Sequence, residues 1–101
     1  MKIPNKISVG GQEINITEVD HLQNDNLGRC YIGAGFIKIA NKVTEGLDQT
    51  ESSKINTFYH ELIHCILDTM GEHELSANEK FVSCFSGFLT EAMRNAYFKN
   101  D

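Results

Sequence analysis

The sequence predicts an α+β domain, a small antiparallel sheet of three to four strands in the N-terminal half packed on two main α-helices. Three observations point to it. Six of the eight glycines fall before residue 47 and separate short β-type runs. From about Thr50 the glycines thin out and the apolar period becomes helical. The chain has 101 residues, 41% of them hydrophobic and 23% charged. That is room for one core and one domain, 1–101.

The elements follow in order. Ile7-Ser8-Val9 is a short strand and Gly10-Gly11 a hairpin signal. Gln12 to Val19 alternates, with Ile14 and Ile16 on one face. Asp20 to Gly28 is a polar loop in which His21 is solvated. Cys30-Tyr31-Ile32 and Phe36 to Ala40 are two further strands, divided by Gly33-Ala34-Gly35. That glycine turn does not join a strand to a helix, so it gives no phosphate cradle and no nucleotide site. Thr50 to Met70 is a helix, with Thr50, Ser52 and Ser53 as candidate N-caps and Gly71 just past its end. A second helix runs from Ser76 to about Lys99, with Phe81, Val82, Cys84, Phe85, Phe88, Leu89, Ala92 and Ala96 as its core face.

Composition excludes several classes of function. A net charge of −5 disfavours a nucleic-acid partner held by phosphate contacts. No run is long and apolar enough to span a membrane, and Met1 to Gly10 lacks the apolar stretch of a signal peptide. Three cysteines form no C-x-x-C pair. They read as reduced thiols of a cytoplasmic protein, Cys65 and Cys84 as small core residues.

The chemistry lies in His60-Glu61-Leu62-Ile63-His64, an H-E-x-x-H sequence inside the first helix. At about 100° per residue, His64 falls about 40° from His60 and Glu61 about 100°. Two imidazoles from successive turns suit one tetrahedral ion, and Glu61 stands beside them. Thr57 and Asp68 share this arc, while the helix is otherwise apolar nearly all round, with Ile55, Phe58, Tyr59, Leu62, Ile63, Cys65, Ile66, Leu67 and Met70. A buried helix must satisfy so narrow a polar stripe internally, and one metal site does so.

The third ligand must come from Glu72, His73, Glu74 or Glu79. Glu72 to Glu74 lie in a turn. Glu79 opens the second helix, where Ser83, Ser86 and Thr90 continue a small polar stripe suited to close helix approach. Glu79 reads either as the ligand or as the acid of a Ser76-x-x-Glu79 capping box. The longer H-E-x-x-H-x-x-G-x-x-H pattern fails at Leu67 and Met70.

His60 to Asp68, followed by Asn78-Glu79, resembles the gluzincin zinc metallopeptidases, in particular the minimal single-domain minigluzincins. It is similar also to the ImmA/IrrE-like and SprT-like metallopeptidases, many of them phage-encoded. The resemblance covers residues 50–93. It implies one Zn2+ held by His60, His64 and Glu79, with Glu61 as the catalytic general base. It implies Asp68 beside a ligand imidazole, with Asn78 and Ser83 nearby; many gluzincins have Asp where Ser83 stands here.

A peptidase of this kind uses zinc to acidify a water and Glu61 to take its proton. His73 and Tyr97 are candidate oxyanion donors, or else a surface turn residue and end-of-helix packing. By resemblance, Phe36 to Ala40 offers a sheet edge to a peptide or protein substrate, or else caps the core. Cys30, if near the site, would mask zinc as a thiolate. The expected partners are a peptide or protein substrate, with no nucleic acid and no membrane, and a monomer fits. An SprT-like role on DNA-bound proteins calls for a DNA module that these residues do not supply. The alternative is an inactive zincin-fold binding or regulatory protein, possibly phage-encoded.

Overall fold

The computed structural model describes residues 2–97. Strands β1 (Lys6–Val9), β2 (Gln12–Val19), β3 (Gly28–Tyr31) and β4 (Phe36–Ala40) form one sheet in the order β1-β2-β4-β3. A two-stranded ribbon follows, β5 (Lys42–Thr44) and β6 (Leu47–Asp48). Then come helices α1 (Glu51–Thr69), α2 (His73–Ser76) and α3 (Glu79–Arg94). The α+β class expected from the sequence is the one observed. Among the described residues, no helix is long and apolar enough to cross a membrane.

The sheet is mixed rather than antiparallel. β1–β2 and β3–β4 are antiparallel hairpins, but β4 lies parallel to β2, with Ile16 opposite Ile37 and Glu18 opposite Ile39. The polar loop after β2 carries the chain past one strand position, and β4 returns into the gap. The physical reason is burial. Ile37, Ile39 and Ala40 are wholly inaccessible, so β4 gains most from having a strand on each side. Phe36 to Ala40, expected either to offer an edge or to cap the core, is therefore central, and β1 and β3 are the edges.

Ile14 and Ile16 of β2 and Ile37 and Ile39 of β4 point to the same face and pack on Phe58 and Cys65 of α1. Fully burying each isoleucine contributes about 1.5–3 kcal/mol. The Thr50 hydroxyl caps α1 by accepting from the Ser53 N–H at 3.2 Å. At the other end Gly71, with φ +83°, reverses the chain. Its N–H donates to Asp68 O, and the Glu72 N–H donates to Leu67 O, satisfying the last carbonyls of the helix. Two polar anchors fix α1 on the sheet. Lys54 Nζ donates to Glu18 Oε1 and Asn41 Oδ1 at 2.8 and 2.9 Å. The buried Gln49 donates to the Ala40 carbonyl and accepts from the Ser53 and Thr57 hydroxyls.

α3 is turned away from its expected orientation. Its buried residues are Val82, Ser86 and Thr90. Of the expected core face, only Val82 is fully buried and Phe81 and Leu89 are half-buried; Cys84, Phe85, Phe88, Ala92 and Ala96 are exposed. Glu79, Val82, Ser86 and Thr90 share one face at 3–4 residue spacing, and small residues there let α3 approach α1 closely. The aromatic stripe lies roughly on the opposite side of the helix. α3 also starts at Glu79 and ends at Arg94, so the expected extension is shorter, and Lys99 lies outside the described residues. Asn78, not Ser76, is the N-cap, accepting from the Phe81 N–H at 3.1 Å.

Candidate metal centre

α1 delivers His60 and His64 from successive turns, and α3 delivers Glu79 from its first residue. The two Nε2 atoms are 3.2 Å apart. Glu79 Oε2 lies 3.3 Å from His60 Nε2, and Glu79 Oε1 lies 3.2 Å from His64 Nε2. An ion with tetrahedral bonds of about 2.0–2.1 Å sets its ligand atoms about 3.3 Å apart. The two imidazole nitrogens thus stand at the spacing of two corners of such a tetrahedron, each faces its own oxygen of the Glu79 carboxylate at a like distance, and the three side chains form a group that can hold a metal ion.

The donor chemistry agrees. The outer nitrogen of His64, Nδ1, lies 3.0 Å from the hydroxyl of the buried Ser76. With the proton assigned to Nδ1 for that bond, Nε2 turns a lone pair toward Glu79 and His60. Two nitrogen lone pairs and a carboxylate converging on one point call for a cation. Burial, together with the neighbouring His64, lowers the pKa of His60, while Glu79 acts in the opposite direction. His60 is thereby biased to the neutral form that binds a metal.

These residues open on a cleft of about 650 Å³ between Asn26–Cys30 and the two helices. Glu61 lines it from α1. Burial, then the Glu79 charge, pushes the Glu61 carboxyl up to about 7. The Cys30 backbone N–H and the charge of Arg29 act the other way. A carboxylate poised near neutrality is matched to taking and returning a proton at physiological pH.

The remaining sequence candidates separate clearly. Asp68 lines the same cleft, but the group seated on His64 is Ser76; Asp68 Oδ1 lies 3.4 Å from His73 Nδ1. Asn78 caps α3 and Ser83 is exposed. Glu72 and Glu74 are exposed, and His73 and Glu74 belong to the short helix α2 rather than to a turn. The proposed oxyanion donors fall outside the cleft lining: the His73 side chain is 75% exposed and Tyr97 is 93% exposed. Cys30 lines the cleft, and burial, then the neighbouring Cys65, raises its thiol pKa, which opposes a thiolate. Cys65 is buried as expected, whereas Cys84 is exposed.

Sequence reasoning missed Ser76, which was read only as a possible cap. It missed the Cys30 N–H, which carries no side-chain signal, and Gly28, which lies against Glu61. Comparison of the chain with protein-family models, curated proteins and solved structures found no match.

Proposed function

We propose that the protein is a zinc-dependent peptidase, with His60, His64 and Glu79 as metal ligands and Glu61 as general base. The observation that carries this reading is the convergence of two imidazole Nε2 atoms, 3.2 Å apart, on the Glu79 carboxylate, one of its oxygens at 3.2–3.3 Å from each, on a cleft that Glu61 also lines. Two imidazoles and one carboxylate suit zinc, and three such ligands leave a fourth position open. A zinc ion held there would supply Lewis-acid polarisation of a carbonyl and an acidified water. Glu61 takes a proton from the attacking water as its oxygen bonds to the carbonyl carbon. It returns that proton to the amide nitrogen as the C–N bond breaks. Ser76 holds the His64 ring in place throughout. The substrate is a peptide in extended form, laid along the free edge of β3 by backbone hydrogen bonds.

Glu61→Gln tests the assignment. Zinc content should stay at the wild-type level while cleavage of a peptide library falls by about 10³-fold or more. Full activity in that variant would remove Glu61 from the reaction.

A further inference from the structure

We propose that Gly28 is a positioning residue for Glu61: the missing side chain lets edge strand β3 close on α1 until the Cys30 N–H faces the Glu61 carboxylate beside the histidines. The proposal rests on the peptidase reading for its catalytic consequence. Its structural content stands on packing alone.

Gly28 has no left-handed φ, so its backbone conformation is open to any residue. Space is what excludes a side chain. A Cβ placed on Gly28 would run into the Thr57 methyl and come within 3.0 Å of Glu61 Cγ and 3.3 Å of the Lys38 carbonyl oxygen. Thr57 cannot simply turn aside. It is buried and β-branched, and its hydroxyl donates to Gln49 Oε1 at 2.8 Å. Gln49 is itself held, donating from Nε2 to the Ala40 carbonyl at 2.6 Å. A side chain at position 28 would therefore push β3 off α1, or drive Glu61 away from β3.

Glu61 feels either movement, because a Cβ on Gly28 would meet its Cγ directly, and the Cys30 N–H, two residues along the same strand, faces its carboxylate. Gly28 does not itself touch the substrate or the metal ligands on this account. It sets a distance on which the aim of Glu61 depends, and small errors of aim at a reacting centre are costly. Glycine inside a strand is otherwise destabilising, and close backbone approach is a recognised reason for it.

The test is a pair of variants with two readouts. In metal-free protein, NMR reports the Cys30 amide proton, which the carboxylate acceptor shifts downfield. Gly28→Ala should displace that resonance and, in zinc-loaded protein, lower kcat about 10–100-fold with KM and zinc content nearly unchanged. Adding Thr57→Ser removes the obstructing methyl and keeps the hydroxyl bonded to Gln49. The double variant should recover most of the amide shift and most of kcat. An unchanged amide and kcat in Gly28→Ala would overturn the proposal. So would a double variant that fails to fold or folds with the amide still displaced, and it decides alone if Gly28→Ala does not fold. Wild-type protein that cleaves no peptide would remove the peptidase reading, while the amide resonance would still decide the role of Gly28.

Discussion

At the scale of single residues, the site is governed by groups that touch the ligands from behind. Ser76 is buried and fixes the ring of His64 through Nδ1. Ser76→Ala should weaken zinc binding about 10–100-fold in competition with a chromophoric chelator, with little change in the circular dichroism spectrum. Glu61 gives a pH signature in the metal-free protein. Its carboxyl titrates at about 7 in the fold, against an ordinary value of 4.5. Between those values the native state holds a proton that the unfolded chain has released, so stability from this group is lost as pH rises from about 4.5 to about 7. Glu61→Gln should remove that loss and leave the metal-free protein more stable at pH 8 by on the order of 2 kcal/mol. Urea unfolding at pH 4.5 and pH 8, with and without the substitution, measures it.

At the scale of elements, α3 shows what a sequence does and does not disclose. Its two faces were both visible: an aromatic stripe at helical spacing and a stripe of Glu79, Ser83, Ser86 and Thr90. Apolar weight favoured the first as the core. The observed helix packs through Val82, Ser86 and Thr90, because Glu79 has to reach the histidines and small residues allow the closest approach. Phe88, 76% exposed, should therefore tolerate Phe88→Ser with a stability change within about 0.5 kcal/mol in thermal or urea unfolding. Ser86→Leu, which forces bulk into the α1–α3 seam, should cost about 1–3 kcal/mol in the same assay. The reverse ranking would mean that α3 is rotated.

The sheet was legible strand by strand, because alternation and glycine turns mark each run. Its order was not, since the insertion of β4 between β2 and β3 depends on which strand gains most from central burial. The H-E-x-x-H pair was legible because both histidines lie on one helix at fixed spacing. The roles of Ser76, Gly28 and the Cys30 amide were not, because they arise from contacts between elements far apart in sequence.

At the scale of the whole molecule, α1 supplies two of the converging groups and α3 the third, so the centre joins the sheet-packed helix to the outer one. Two imidazole nitrogens and the two oxygens of one carboxylate bring unshared electron pairs together at 3.2–3.3 Å, and a bound cation would hold both helices in that relation. Zinc at about a thousandfold excess over its Kd should raise unfolding free energy by about 4 kcal/mol, and a chelator should reverse it. The most direct test of the central claim is calorimetric titration of untagged, metal-free protein with Zn2+ near pH 7.5, alongside Glu79→Ala. The expected result is about one equivalent bound by the wild type, with Glu79→Ala weakened by at least about tenfold. Less than about 0.2 equivalents in the wild type, or an affinity indifferent to Glu79, would contradict the account.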